Sequence, residues 1–476
     1  MKRKPRTSAI FQRRRAGVLL HLTSLPGPHG VGDLGPQAAA FADWCHRAGL
    51  SIWQMLPIGP VGGGDSPYSA TSSFAAEPLL VSLEGLVRQG LLPRTRLRAP
   101  AALGRGPADF AAARRFKFPR FQEAFAAFVR RGGPASAAFR SFERSSQGWL
   151  PGWCRFAAAQ HGGPAALHAF VQFQFQKQWA ALRKHCRSRG VLLVGDLPIF
   201  VTLDSADVAD RPELFRLEPT GRPRVVTGVP PDCFSKDGQL WGHPHYAWVA
   251  HRREGFRWWT RRVATALDRF DALRIDHFVG LVHAYEVPGS ARTARRGRWA
   301  PTPGRELLTA VSDRLGRLPL IAEDLGAVTP AVVSLRDDFG LPGMKLLHNA
   351  FYGPDSGDLP HHHPVNCVVY PGTHDNDVSR GWIRHLDRPS RERFVRLAGG
   401  DLRQPERALI RMAYASPART AVVAMQDLLG LGPKARMNVP GVAHGNWTWR
   451  LDPSPLPSGL AGELNALAVD SGRLAN

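Results

Sequence analysis

A chain of 476 residues with 43% hydrophobic residues, among them 13 Trp and 24 Phe, has enough apolar side chains for a large core. This length exceeds one average domain, although α/β barrels with insertions reach it as a single unit. The formal net charge of +23 would suit a nucleic acid, but the basic residues are scattered except for a cluster within residues 1–15. Because the charge is scattered, we expect no nucleic acid partner. No apolar run is long enough to span a bilayer, so we expect no membrane partner either.

The amino-terminal region and the cysteines indicate the compartment. The basic residues run directly into a strand-like segment at Gly17, without the apolar core and cleavage site of a secretion signal. The five cysteines are far apart and include no C-x-x-C pair, which is typical of reduced thiols rather than a disulfide frame or zinc site. They are Cys45, Cys154, Cys186, Cys233 and Cys367. These features predict a cytoplasmic protein.

Eight short apolar runs suited to buried parallel strands recur along the chain, and most are separated by segments with helical periodicity. They cover residues 18–22, 52–56, 191–194, 272–275, 320–322, 344–347, 367–370 and 421–425. This pattern predicts a (β/α)8 barrel, in which the active site lies at the carboxyl ends of the strands. Polar residues stand at or just past nearly every predicted strand end: His21, Asp196, Asp276, Glu323, His348, His374 and Gln426.

Two long segments interrupt the alternation of strands and helices. Residues 84–188 are predicted to form a largely helical insertion between the second and third strands, because 109–128 and 165–186 have helix-like spacing. Residues 204–248 are rich in Pro, Gly and Asp and are predicted to form a loop-rich insertion over the active-site mouth. The whole chain, 1–476, is then expected to be one catalytic barrel with two insertions.

Two carboxyl residues follow neighbouring predicted strands. Retaining cleavage of a glycosidic bond needs two carboxyl groups ~5 Å apart, one to attack the sugar and one to protonate the leaving oxygen. Asp276 ends the fourth strand, and Arg274 on the same side of that strand is expected to lower its pKa and keep it ionised. Glu323 ends the fifth strand, where burial would raise its pKa. The alternatives are a structural Arg-Asp ion pair and, for Glu323 with Asp324, a helix N-cap.

Further polar residues cluster near the seventh and second strands. Thr373-His-Asp-Asn-Asp places two carboxylates, an imidazole and an amide in consecutive positions, which taken alone fits a turn or a metal site equally well. Because no further ligands accompany it at helical spacing, we expect no metal. Ser66 and Tyr68 follow a glycine run. This pattern fits a simple turn and an aromatic ring that stacks on a sugar equally well.

Ordered motifs along nearly the whole chain resemble those of one family, the amylomaltases or 4-α-glucanotransferases of the α-amylase superfamily. Any single motif would be weak evidence, but their number and order make coincidence improbable. The motifs are Gly17-Val-Leu-Leu-His-Leu, Asp65-Ser-Pro-Tyr-Ser, Gly195-Asp-Leu-Pro, Gly228-Val-Pro-Pro-Asp, Arg274-Ile-Asp-His-Phe, Ala322-Glu-Asp-Leu-Gly, Gly372-Thr-His-Asp-Asn-Asp and Ala435-Arg-Met-Asn-Val-Pro-Gly.

The resemblance implies that Asp276 is the nucleophile, Glu323 the general acid/base and Asp375 a third carboxylate that holds sugar hydroxyls. It also implies transfer among maltooligosaccharides and other α-glucans derived from starch or glycogen, with no cofactor and no metal. The implied substrate-binding residues are Ser66, Tyr68, Asp196, Asp232, Phe234, Gln239, Trp241, Arg274, His277 and His374.

The chain departs from the family pattern at a few positions. Cys233 stands where an aromatic residue, usually Tyr, follows Pro-Pro-Asp, so one stacking surface that contributes about 1 kcal/mol is missing. The ratio of transfer to hydrolysis therefore stays open. His243, Glu77 and Val279 also differ from the pattern, but none of them removes a catalytic group. The alternatives are a retaining α-glucan hydrolase and a catalytically inactive protein that binds glucan or nucleic acid.

Overall fold

The computed structural model describes residues 7–231, 235–442 and 444–474. Within these ranges twelve strands form two sheets. The strands are β1 (Arg15–Leu19), β2 (Ile52–Gln54), β3 (Leu192–Leu197), β4 (Val225–Val229), β5 (Gln239–Pro244), β6 (Ala272–Ile275), β7 (His283–Pro288), β8 (Arg298–Pro301), β9 (Leu320–Ala322), β10 (Gly343–Leu346), β11 (Cys367–Tyr370) and β12 (Thr420–Ala424).

Eight of these strands form a parallel sheet in the order β10-β11-β12-β1-β2-β3-β6-β9. The sheet closes because the Ala322 amide at the end of β9 donates to the Pro342 carbonyl just before β10, over 2.9 Å. The predicted (β/α)8 barrel is therefore confirmed. Three strands, β6, β9 and β11, have the predicted limits, and the other five differ from the predicted runs. Two of these differences are the largest at one strand end: β1 begins three residues earlier, at Arg15, and β3 extends to Leu197, which places Asp196 within the strand.

The alternation of side chains along the strands separates two apolar layers. The inward residues fill the barrel and form one cluster, which includes Leu19, Ile52, Val194, Ala272, Ile321, Met344, Val368 and Val422. Their neighbours in sequence point outward into a larger cluster shared with the helices, which includes Val18, Trp53, Leu193, Leu273, Leu320, Val369 and Val423. The strands are apolar on both faces because both faces are covered, which explains why they appear in the sequence as unbroken apolar runs.

The helices surround the barrel and fill the long segment between β2 and β3. They are α1 (Pro36–Arg47), α2 (Leu83–Arg88), α3 (Phe110–Arg130), α4 (Ala137–Ser146), α5 (Leu150–His161), α6 (Ala165–Ser188), α7 (Ala206–Asp210), α8 (Trp248–Arg253), α9 (Arg257–Arg269), α10 (Gly304–Leu315), α11 (Pro330–Asp338), α12 (Ser379–His385), α13 (Arg388–Ala398), α14 (Pro405–Ala415), α15 (Met425–Leu428) and α16 (Leu460–Asp470). None of the helices within the described ranges is long and apolar enough to cross a membrane.

Helices α3, α4 and α6 pack through an aromatic cluster, and a buried ion pair anchors α3. Rings of α3, α4 and α6 contact one another, for example Phe128 with Phe170 at 5.0 Å between ring centroids. The Lys117 ammonium of α3, which is 0% exposed, binds Asp33 at 2.6 Å and donates to the carbonyl oxygens of Leu79 and Val81. Asp33 thus ties α3 to the segment that leads into α1. The division of the chain into one barrel with two insertions stays an interpretation of this arrangement.

The second sheet is antiparallel, in the order β5-β4-β7-β8. It pairs β4 and β5, which lie in the segment predicted to be rich in loops, with β7 and β8 beyond the sixth strand. The sequence did not predict these four strands. Their glycines and prolines resemble those of a loop, and β4 pairs with β7 across more than fifty residues of intervening chain.

Candidate active site

The predicted site residues converge at the carboxyl ends of the barrel strands. Asp196 and Arg274 lie in β3 and β6, Asp276 directly follows β6, and Glu323 directly follows β9. The Asp276 amide donates to the Leu197 carbonyl over 3.1 Å, and the Glu323 amide donates to the Ile275 carbonyl over 3.1 Å. Each of the two carboxyl residues is thus fixed to the end of the neighbouring strand by its own backbone.

Arg274 is the cation at the centre of the site. Its Nη1 atom donates to both carboxylate oxygens of Asp196, at 3.0 and 2.8 Å, and to Oδ1 of Asp276 at 3.0 Å. Asp196 also accepts a hydrogen bond from the Tyr68 hydroxyl at 2.7 Å. Arg274 and Asp196 are almost fully buried, so their mutual attraction is weakly screened and holds the guanidinium in place.

Asp276 has a higher pKa than the sequence predicted. Its side chain is 26% exposed and accepts from Arg274, yet burial raises its pKa to about 7. Arg274 opposes this rise, while the nearby carboxylates of Asp196 and Asp375 add to it. The expectation of a lowered pKa was therefore wrong, because the strand position of Arg274 reveals the attraction but not the burial or the neighbouring negative charges.

Glu323 is more strongly shifted toward its protonated form. It is 9% exposed, and burial raises its pKa well above the ordinary value, with the charge of Asp276 acting in the same direction. Its Oε2 accepts a hydrogen bond of 2.5 Å from the backbone amide of His277. No side-chain cation within the described residues hydrogen-bonds Glu323, whereas Arg274 bonds Asp276 directly. The pair is thus arranged to lose its first proton at Asp276 and to keep its second on Glu323.

His277 adopts a backbone conformation that is rare for a residue other than glycine. Its φ of +51° lies in the left-handed region, which costs an L-residue roughly 1–2 kcal/mol. This turn directs the amide of His277 to Glu323, while its imidazole meets the ring of Trp241 edge-on at 4.8 Å between centroids. The strain at His277 therefore coincides with the placement of a carboxyl group.

Asp375 is the most exposed of the three predicted catalytic carboxylates, at 41% of its side chain. Asn438 donates to its Oδ1 at 2.6 Å, and the guanidinium of Arg436 donates to its backbone carbonyl at 2.9 Å. Arg436 also donates to the Asn438 carbonyl at 2.7 Å, so the two residues form one clamp. The sequence did not predict this clamp, although both residues lie in the Ala435-Arg-Met-Asn motif.

Tyr68 and His374 form a stacked pair beside Asp375. Their ring centroids are 5.3 Å apart with an angle of 9° between the planes, and the Tyr68 hydroxyl lies 2.8 Å from Nε2 of His374. Because this hydroxyl already donates to Asp196, the imidazole must donate from Nε2, which also lies 3.3 Å from Asp375. Ser66 accepts from the Tyr68 amide at 3.3 Å and so shapes the turn that brings Tyr68 to the site.

The structure describes some of the residues predicted to bind the acceptor. The indole nitrogen of Trp241 donates to Gln239 at 3.3 Å, and the Trp241 ring contacts His277 next to Glu323. Gln239 and Trp241 lie on β5, so the antiparallel sheet brings them toward the carboxylates. Asp232 and Phe234, together with Cys233, lie outside the described residues.

Known proteins resemble this chain over nearly its whole length. A family model described as 4-alpha-glucanotransferase matches residues 20–166 and 158–455. The chain is 42% identical over 500 residues to the 4-alpha-glucanotransferase of Thermus thermophilus, covering 97% of this chain and 99% of that protein. It is 40% identical to the enzyme of the same name from Aquifex aeolicus, covering 92% and 95% of the two chains.

A solved structure shows the same similarity in three dimensions. The amylomaltase from Streptococcus agalactiae, in complex with acarbose, superposes with a TM-score of 0.93 at 31% sequence identity, covering 97% of this chain and all of that one. Sequence and structure thus agree over nearly the entire length. The chain belongs to the 4-alpha-glucanotransferase family.

Proposed function

We propose that this chain transfers α-1,4-linked glucan segments from a donor maltooligosaccharide to the 4-hydroxyl of an acceptor glucan or glucose, with retention of configuration. The observation that carries the proposal is the pair of carboxyl groups at adjacent strand ends, Asp276 and Glu323, with different hydrogen-bond partners. A retaining mechanism requires one carboxyl group that ionises readily and one that holds a proton. The reaction as proposed uses carboxyl groups alone, without a metal or an organic cofactor.

In the first step, Asp276 attacks the anomeric carbon of the donor while protonated Glu323 donates its proton to the departing oxygen. The Arg274 guanidinium supports this role of Asp276, because it favours the ionised carboxylate against the effect of burial. The bond from the anomeric carbon to the leaving oxygen breaks, and a β-linked glycosyl-enzyme forms on Asp276. The raised pKa of Glu323 supports its role as the acid.

In the second step, ionised Glu323 removes the proton of an acceptor 4-hydroxyl, which attacks the glycosyl-enzyme. The ester bond to Asp276 breaks, and the second inversion restores the α configuration. We assign Asp375 to the sugar hydroxyls of the donor, where Asn438 and Arg436 hold it in place. Ser66, Tyr68, Asp196, Arg274 and His374 complete the donor side in this proposal.

Transfer requires that a sugar hydroxyl competes with water for the glycosyl-enzyme. We assign this selection to Gln239, Trp241 and His277, together with Asp232 and Phe234 of the neighbouring segment. The contact of Trp241 with His277 supports the assignment, because it places an aromatic surface beside the acid/base. Maltooligosaccharides and starch- or glycogen-derived glucans are the proposed substrates. A cytoplasmic setting remains part of the proposal, because Cys45, Cys154, Cys186 and Cys367 are free thiols.

Incubation with maltotriose tests the proposed reaction. We expect glucose together with a ladder of longer maltooligosaccharides, separated by chromatography and quantified over time. A product mixture of glucose and maltose alone would instead show a hydrolase. Asp276→Ala, Glu323→Gln and Asp375→Asn, each with unchanged circular dichroism, should lower the transfer rate by orders of magnitude. Near-normal transfer by Asp276→Ala would refute the assignment of the nucleophile.

A further inference from the structure

A cavity of about 430 Å³ lies away from the catalytic carboxylates, where the helices α4, α6 and α9 meet, and Trp149 just before α5 also lines it. Two hydrogen bonds hold α6 against the end of α9. The Trp179 indole donates to the Arg269 carbonyl at 2.8 Å, and Arg183 donates to the Phe270 carbonyl at 3.0 Å. Lys184 of α6 and Arg269 of α9 thus line one cavity.

The positive charges that line this cavity differ in whether they are already neutralised. Arg183 and Arg187 both bind the carboxylate of Asp271, at 3.1 and 2.7 Å. Lys184, by contrast, is exposed to solvent and makes no ion pair or hydrogen bond within the described part of the chain. Arg269 donates to the Phe74 carbonyl at 2.6 Å and lies over the Phe175 ring, but no carboxylate pairs with it. Burial lowers the pKa of Arg269 to about 10, and the charge of Asp268 only partly opposes this fall, so a further counter-charge would be favourable there.

The remaining wall offers groups suited to a hydroxylated ring. Trp149 is half-buried at the cavity and stacks on no other ring among the described residues. Gln176 adds an exposed amide, and Ser146 adds a hydroxyl group. Asp268 supplies a carboxylate that can accept hydrogen bonds from hydroxyl groups. The cavity thus combines an aromatic surface, polar donors and acceptors, and two cations that lack carboxylate partners.

We propose that this cavity binds a phosphorylated hexose, with the phosphate on Lys184 and Arg269 and the sugar ring against Trp149. A phosphate group supplies the missing counter-charge, and Arg and Lys both bind phosphate through charge-assisted hydrogen bonds. A sugar ring fits the partly exposed indole, since its C–H face packs on aromatic surfaces. A neutral glucan would leave the partly buried Arg269 without a counter-charge. The proposal stands apart from the transfer reaction and uses none of its residues.

Isothermal titration calorimetry on the full-length protein tests this site with glucose 6-phosphate, glucose 1-phosphate, inorganic phosphate and glucose. We expect saturable binding of at least one hexose phosphate, weaker binding of inorganic phosphate and none of glucose. Lys184→Glu should weaken the binding about tenfold or more. Lys177→Glu is the matched control, because it makes the same charge change on the same helix outside the cavity and should leave the affinity unchanged.

The outcomes distinguish binding in the cavity from nonspecific electrostatic attraction, and they test whether the sugar ring contributes to the affinity. Absence of hexose phosphate binding overturns the proposal, as does equal weakening by Lys184→Glu and Lys177→Glu. Equal affinities for inorganic phosphate and both hexose phosphates overturn the role of the sugar ring. Trp149→Leu should weaken the binding of hexose phosphate but not that of inorganic phosphate. If Trp149→Leu does not fold, the affinity of Lys184→Glu alone tests whether the ligand binds in the cavity. Maltotriose transfer by Lys184→Glu should equal that of the parent, so the two proposals fail independently.

Discussion

Asp276 shows how a single residue in this site combines opposing electrostatic effects. Burial and the carboxylates of Asp196 and Asp375 raise its pKa, and the hydrogen-bonded Arg274 holds that pKa at about 7. Since the attacking group must be ionised, kcat/KM for maltotriose should fall as the pH drops below about 7. Glu323 must be protonated in the first step, so its raised pKa sets the opposite limb at higher pH.

Substitution of Arg274 tests this electrostatic balance. Arg274→Gln removes the charge that lowers the pKa of Asp276, so the acid limb of kcat/KM should move to higher pH. The rate at the optimum should fall by roughly 10²-fold, because a preorganised donor is lost. Arg274→Lys keeps the charge and should move the acid limb less. pH profiles of the parent and both variants check this expectation, and an acid limb that stays in place in Arg274→Gln would contradict it.

At His277, backbone and side-chain roles can be separated. Asn tolerates the left-handed conformation, whereas a β-branched residue does not. His277→Val should therefore withdraw the amide from Glu323 and raise its pKa further, since a hydrogen bond to the ionised form is lost. We expect kcat to fall about tenfold or more and the alkaline limb to move to higher pH. His277→Asn should keep that limb in place, and identical profiles for the two variants would refute the backbone role.

At the scale of elements, local sequence patterns predicted the barrel strands but not the antiparallel sheet. The barrel strands are short, apolar on both faces and followed by polar residues, so each one is visible without its partners. The segment of β4 is recognisable as a strand only from its pairing with β5 and β7, and β7 lies beyond β6 in the chain. Its Gly228 fits closely against β5, where a Cβ would approach the Gln239 carbonyl to 2.4 Å. A glycine required by such contact resembles a loop glycine in the sequence.

The sequence also did not predict the buried ion pair that ties α3 to the chain before α1. A lysine within a helix is expected at the surface, yet Lys117 is fully buried against Asp33. Lys117→Met should lower the free energy of unfolding by about 3–5 kcal/mol, because Asp33 and two carbonyl groups lose their buried partner. Urea denaturation checks this value. Arg155→Ala, which breaks the exposed pair with Asp210, should cost less than about 1 kcal/mol.

A double substitution separates the cost of an unpaired charge from loss of packing. Lys117→Met combined with Asp33→Leu should recover part of the lost stability, since no buried carboxylate then remains without a cation. A double variant that is no more stable than Lys117→Met would show that the ammonium acts mainly through packing and its bonds to the carbonyl oxygens.

For the whole molecule, the two ends of the barrel have different tasks. The carboxyl ends of the strands carry Asp276, Glu323 and Asp375. Barrel topology gathers strand ends from distant positions and made Asp276 and Glu323 two candidates among several, whereas the resemblance to the amylomaltases singled out all three. The clamp of Arg436 on Asp375 escaped prediction, because it depends on how a later loop folds back over the mouth. The amino-terminal ends of β1 and β12 are instead joined to the carboxyl-terminal segment, through a residue that no motif marked.

That residue is Arg473, whose side chain is 0% exposed and donates to six backbone carbonyls. Two of these carbonyls, of Arg15 and Arg419, lie where β1 and β12 begin, so the guanidinium joins the chain end to the closed barrel. Arg473→Ala leaves buried acceptors without a donor and should lower the free energy of unfolding by about 3 kcal/mol or more. Because the contacts lie at the opposite end from the carboxylates, kcat for maltotriose at a temperature where the variant stays folded should equal that of the parent. A loss of kcat without a fall in Tm would mean that the two ends of the barrel are coupled, and would contradict this separation of stability from catalysis.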